Sequence, residues 1–249
     1  MLVVAGCVGS TAGVDVGGTK SSADVRLERL MADFWESYTS ELPMLANMFG
    51  DLSHTDKLDQ MSEQAFERRR RAFETALTEA RTIPRAELSS LHQTNLDMFT
   101  WLVSAERKLL DLPTRFMTFN TLGGWHDTLP QLVAATPFRT IRDYNHYTAR
   151  LGQVGRLADE MISLLRRGIQ TGFVHPCDSL RGTSEAVDKL ASDVPSFAYK
   201  PLKGMPSHLK PQASRIRQSI EAVVESTVVP AYQRYATFIR SEYVPSCRS

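Results

Sequence analysis

Excess charge of either sign, long apolar runs and closely spaced cysteines are all missing from this 249-residue chain. Lys plus Arg number 29 against 28 Asp plus Glu, a formal net charge of +1, so no whole-surface field for nucleic acid exists and no nucleic-acid partner is expected. No apolar run approaches the roughly 20 residues that span a bilayer. Cys7, Cys177 and Cys247 form no Cys-x-x-Cys pair, which excludes a zinc ribbon, and whether Cys177 and Cys247 bond to each other is left open. His-Glu-x-x-His is absent, as is any histidine–carboxylate pair at the spacing a zinc helix requires. Gly-x-Ser-x-Gly is absent too. The chain therefore carries no complete, recognisable catalytic site and no metal-ligand set of its own.

What is present is helical periodicity. Leu27, Leu30, Met31, Phe34, Trp35 and Tyr38 recur at i, i+3, i+4, i+7, i+8 and i+11, one apolar face of a helix that starts near Ser22 or Asp24. A second helix is expected over 62–81, with Phe66, Phe73, Ala76, Leu77 and Ala80 inward. A third follows Pro84 to about Leu110, with Leu88, Leu91, Met98, Phe99, Leu102 and Leu109 as its buried face. Residues 116–120 break the pattern and read as a short extended segment. Thr128 reads as the N-cap of a short helix with Pro130 in its first turn. Thr140 to Asp143 has the form of a capping box, opening a single long helix that stops at Gly172. A shorter helix is expected over 179–191, a loop through Pro195, Pro201, Gly204 and Pro206, and a last helix over 211–243 that Pro230 kinks or divides. The fold class is all-α: an irregular array of six to eight helices with at most a short extended segment near 116–120.

The N-terminus is read separately. Residues 1–22 are expected to be a flexible segment and 23–249 the helical body. Small residues ahead of Cys7 resemble the tail of a lipoprotein signal, making Cys7 a candidate lipidation site; no basic n-region precedes it. The chain is expected in the cell envelope or secreted if that signal is real, with a membrane reached only by a lipid anchor on Cys7, and in the cytoplasm otherwise. Asp15-Val16-Gly17-Gly18-Thr19-Lys20 resembles a sugar-kinase phosphate motif, but helix rather than hairpin strands follows, so a linker is expected. Arg68 to Arg71 lie mid-helix, where four consecutive residues point around most of the circumference, and read as a solvated face rather than one patch. His146, between two tyrosines, reads as structural. His126, beside Asp127 and two residues past Gly124, is either an ordinary loop residue or part of a site.

From Leu27 to Tyr243 the chain resembles the N-terminal half of a large family, domain of unknown function 885. The match is carried in order by Phe34-Trp35-Glu36-Ser37-Tyr38, Met48-Phe49-Gly50-Asp51, Phe119-Asn120-Thr121-Leu122-Gly123-Gly124, Leu129-Pro130, Thr136 to Tyr144, Leu164 to Gly172, Val229-Pro230-Ala231-Tyr232 and Glu242-Tyr243-Val244-Pro245. Members resemble helical zinc metallopeptidases of the gluzincin kind, many of them bacterial lipoproteins, with a His-Glu motif and Pro-Gly-His-His in the C-terminal half. The resemblance implies a truncated, non-catalytic substrate-channel half of a hydrolase, inactive alone, with zinc expected only with the missing C-terminal half. It implies a peptide substrate in the full-length member and a complementary C-terminal half as partner. On this reading Asn120, Gly123, Gly124 and His126 are the substrate-binding candidates, Asn120 orienting an extended peptide and the glycines allowing close approach. The missing half is expected to pack on an exposed face of the last helix, at Tyr232, Tyr235, Phe238 and Tyr243. The alternative is a free-standing helical scaffold or interaction protein descended from the family, with a closed core. A third reading, a metal-independent hydrolase, requires His126, Asp127 and another titratable group to converge in one pocket.

Overall fold

The computed structural model describes residues 20–120 and 123–248. The expectations placed on Cys7 and on residues 15–19 lie outside the described residues. The helices are α1 (Ser22–Glu41), α2 (Pro43–Met48), α3 (Glu63–Arg81), α4 (Ser90–Leu109), α5 (Thr128–Ala135), α6 (Ile141–Leu151), α7 (Val154–Thr171), α8 (Thr183–Ala198), α9 (Lys200–Lys203), α10 (Ala213–Val223) and α11 (Val229–Phe238). The one sheet among the described residues is an antiparallel hairpin of β1 (Phe119–Asn120) and β2 (Gly123–Gly124). The architecture is all-α, as expected, and no described helix is long and apolar enough to cross a membrane.

The chain forms two compact units, the first holding α1, α3 and α4. Its core is an interdigitated layer of Leu27, Leu30, Met31 and Phe34 from α1, Phe73, Ala76, Leu77 and Ala80 from α3, and Leu96, Phe99 and Val103 from α4. Phe34 is the centre: its ring meets Phe99 edge-on at 5.3 Å and Phe73 at 5.5 Å. The start of α1 is fixed by reciprocal capping, Ser21 N–H donating to Asp24 Oδ2 and Asp24 N–H to Ser21 Oγ. Asp24 also accepts from the Ser89 amide at 3.0 Å, and His92 bonds Ser89 and Glu28, tying the first turns of α1 and α4 together.

Two expectations fail in this unit. Leu88 and Phe99 are buried, but Leu91, Met98 and Leu109 are exposed, and with Trp101 (69% exposed) and Leu112 they form an outward apolar stripe. The helix is apolar on two sides, and periodicity gives the spacing of a face without its direction. The second failure is Arg69. Arg68, Arg70 and Arg71 do pair at the surface with Glu41, Asp111 and Glu67. Arg69 is buried, with its guanidinium 4.5 Å above the Phe66 ring.

The second unit holds the remaining helices. The capping box is present in full: Thr140 Oγ1 accepts from Asp143 N–H and Asp143 Oδ2 accepts from Thr140 N–H. The long helix expected after it is instead two, broken at Gly152–Gln153 before the αL stop at Gly172. Glycine weakens the rod there, and the break frees the Gln153 side chain to accept from Leu58 N–H and donate to the Asp56 carbonyl. Pro195, expected in a loop, lies inside α8, which starts four residues later than expected and ends seven residues beyond the expected 191. Burial of Val187, Ala191, Val194 and Ala198 on one stripe outweighs the hydrogen bond that proline removes. Asp127, not Thr128, is the N-cap residue of α5. Pro230 follows a π turn, Val224–Val228, that carries the chain from α10 into α11 without leaving the helix.

The last helix is not exposed. Tyr232, Tyr235, Phe238 and Tyr243 are all buried, and α11, which carries the first three, packs chiefly against α7 and α8. An aromatic-rich stripe reads the same whether it faces a missing partner or its own neighbours. Here α7 and α8 supply the partner.

Candidate functional site

The segment that sequence reasoning singled out, 116–127, closes on itself. Residues Pro113–Phe116 make a 3₁₀ turn, after which Phe119 pairs with Gly124 and Asn120 with Gly123. Both glycines are demanded by this closure. A Cβ on Gly124 would stand 2.4 Å from Phe119 Cβ, and Gly123 has φ +154° with Asp127 Oδ2 at 2.8 Å from where its Cβ would be. Asp127 Oδ2 accepts from the Gly124 amide at 3.1 Å and lies 3.6 Å from His126 Nε2. Instead of capping α5 with its side chain, Asp127 staples the hairpin.

Around the hairpin the second unit builds an aromatic shell. Phe119 stacks on His175 at 4.9 Å and meets Tyr243 at 5.3 Å and His126 at 6.4 Å. Trp125 is wedged against Tyr232 and Tyr235 at 4.9 and 4.7 Å. Tyr232 OH donates to the His126 carbonyl, and His175 Nδ1 and Tyr243 OH are 2.7 Å apart. Trp125 Nε1, His126 Nδ1 and Tyr235 OH are buried with no hydrogen-bond partner among the described residues. Leaving such a buried group without a bond costs about 1–3 kcal/mol.

Burial disfavours charge on the shell's imidazoles and phenols. Burial lowers the His126 imidazole below the usual histidine range, with Asp127 pulling the other way. Burial also lowers His175, opposed by its hydrogen bond at Phe119 and reinforced by Arg248. Burial pushes the Tyr243 phenol up to about 12. Below about 6.5 the unfolded chain takes up protons on these two histidines that the folded chain resists, so stability falls as the medium is acidified through that range. Thermal unfolding at pH about 7.5 and about 5.5 should show a lower midpoint at the acid end. A midpoint that rises on acidification would mean that the imidazoles are charged in the fold.

His126 and Asp127 are close, and the phenols of Tyr232 and Tyr235 lie within electrostatic reach of Asp127, but burial raises the pKa of both and keeps them protonated, so neither serves as a base. His175 and Tyr243 both meet the Phe119 ring and are bonded to each other. Among the described residues no group of three or more His, Cys, Asp or Glu is placed to hold a metal ion. Cys177 and Cys247, left open by the sequence, form a disulfide. It holds the 175–177 segment to the chain's end, where Cys177 N–H donates to the Arg248 carbonyl and Arg248 N–H to the His175 carbonyl.

A second concavity in this unit was not foreseen. Asn47, Thr55, Pro137, Arg142, His146 and Arg150 line a cavity of about 210 Å³. The available signal was Arg150 itself, a charge on the stripe that also carries Tyr147, Leu151 and Val154.

Comparison with known proteins places these features in a family context. A model of the family described as "Bacterial protein of unknown function (DUF885)" matches residues 43–249. No curated protein matches the chain. A solved structure described as "The crystal structure of the putative lipoprotein from Colwellia psychrerythraea" superposes with a TM-score of 0.68 at 17% identity, a likeness of fold. The superposition covers 92% of this chain and 43% of the other, so the chain spans less than half of that protein's length.

Proposed function

Because the chain belongs to the DUF885 family of bacterial proteins, we propose that it is the non-catalytic, substrate-channel part of a zinc-metallopeptidase-like hydrolase. On this reading the hairpin at Asn120, Gly123, Gly124 and His126 forms part of a wall for an extended peptide. The zinc and the groups that activate water belong to the portion of such proteins with no counterpart here. The observation that carries the reading is the apolar stripe Leu91, Met98, Trp101, Leu109 and Leu112 on and just beyond α4. Exposed apolar area concentrated on one helix face marks a surface that another body covers. The occupant proposed is the remainder of a longer family member, since the Colwellia protein of similar fold extends well beyond the part superposed on this chain. The rival reading, a free-standing scaffold, is favoured by the closed packing of the last helix.

The purified chain should bind an apolar-surface dye, and Trp101→Glu should reduce that binding with helicity unchanged. Mixing with the separately produced remainder of a longer family member should quench the dye signal and give a one-to-one complex. The chain alone should purify without stoichiometric zinc. A monomer that binds no dye and ignores the added remainder would favour the scaffold and end the channel reading.

A further inference from the structure

Arg150 is a buried cation of the second unit whose direct hydrogen-bond partners include no anion. Its side chain lies among Tyr147, Leu151 and the 54–58 loop and is 2% exposed. Nε donates to the Lys57 carbonyl at 2.8 Å, and Nη2 donates to Asn47 Oδ1 at 2.5 Å and the His54 carbonyl at 3.2 Å. All three acceptors are neutral. Asp56 and Asp59 act on it only through space, and burial lowers its pKa to about 10. Removing a cation from water costs several kcal/mol, which proteins ordinarily offset with a directly bonded anion.

Arg150 is also among the residues that line the 210 Å³ cavity. Arg142 Nε donates to His146 Nε2 at 3.4 Å, which leaves His146 Nδ1–H to donate to Thr55 Oγ1 at 2.7 Å. Asp143 is the only carboxylate in the cavity's described wall, and it is committed to the amides of Arg139 and Thr140. Two guanidiniums against one carboxylate leave the wall a net charge of +1. Phe138, next in sequence to the lining residue Pro137, holds φ +50°, a region costly for a side-chain-bearing residue, with its ring 5.2 Å from Tyr144 and 5.1 Å from Tyr147.

We infer that this cavity is a binding site for a monoanionic carboxylate, held by Arg150 and Arg142, with an apolar tail against Leu52 and Pro137. A guanidinium's planar fork matches a carboxylate. A wall of net +1 suits a single negative charge better than a phosphate dianion. At roughly 30 Å³ per water, the space equals about seven waters, enough for a carboxylate and several carbons. This assignment rests on the Arg150 cavity alone, so its failure would leave the proposed function untouched.

The test is calorimetric titration of the full chain with N-acetyl-leucine, N-acetyl-leucinamide, propionate and inorganic phosphate. The acid should bind at least about tenfold more tightly than its amide, a difference of roughly 1.4 kcal/mol. Arg142→Gln, at the exposed rim, should weaken the acid about fivefold and leave the amide unchanged. Arg150→Lys, which keeps the charge but loses the fork, should weaken it further, with circular dichroism reporting that the fold is kept. N-acetyl-leucine binding better than propionate assigns the carboxylate to a peptide end, and the reverse order assigns it to a free small acid. Acid and amide binding equally, no binding by either, or phosphate binding more tightly than the acid would overturn the inference.

Discussion

Replacing Phe99 by alanine is expected to cost the first unit about 4 kcal/mol, while the same change at its neighbour Met98 should cost less than about 0.5 kcal/mol. Phe99 is buried and edge-on to Phe34, which itself spans to Phe73. Its removal takes away transfer free energy and leaves a cavity where α1, α3 and α4 meet. Met98 is half-exposed on the outward stripe. Amide exchange in α1, α3 and α4 reads the difference segment by segment. For Phe99→Ala, exchange through opening of this unit should quicken nearly a thousandfold, since each 1.4 kcal/mol is a factor of ten. Met98→Ala should scarcely move it. Equal effects at the two positions would mean that both faces of α4 are covered, and a reversed order that α4 is turned the other way; in either case the exposed apolar stripe that supports the proposed function would vanish.

This pair of residues also shows where sequence reading stopped. Helices declare themselves through local chemistry: the spacing of Leu27, Leu30, Met31 and Phe34 in α1, the Thr140–Asp143 box, the glycine at 172 that accepts φ +71°. Those signals act within a few residues of their own position. The direction of a face does not, because it depends on what packs against it. Met98 and Phe99 are neighbours on a helix with two apolar sides, and the last helix's tyrosines met α7 and α8 rather than an absent half. The same limit hid the candidate site. Gly123 and Gly124 were legible as close-approach positions, but the approach is by Phe119 and Asp127, groups of the hairpin's own strand and following turn. The Arg150 cavity gathers residues 47 to 55 with residues 136 to 150, a juxtaposition that no local spacing encodes.

The second large effect is expected at the disulfide. Cys177 and Cys247 close a loop with a sequence separation of 70, and cross-linking a loop of that size limits the unfolded chain's entropy by about 4 kcal/mol in the chain-entropy model. Cys247→Ser, or a reductant added to the native protein, should therefore lower the second unit's unfolding free energy by about that amount. The loss should also be felt at the hairpin. The bond holds the backbone bridge between 175–177 and Arg248, and His175 in turn stacks on Phe119 and bonds Tyr243. Exchange protection at Phe119, Asn120, Gly123 and Gly124 should fall with the reduction, while that of α1, α3 and α4 should hold. Denaturant titration with and without reductant, followed by segment-resolved exchange, measures both parts. A shift below about 1 kcal/mol would show that the pairing of the chain's end with the 175–177 segment survives without the bond. Hydrogen bonds and aromatic packing, rather than the cross-link, would then hold His175 and Tyr243 around the hairpin.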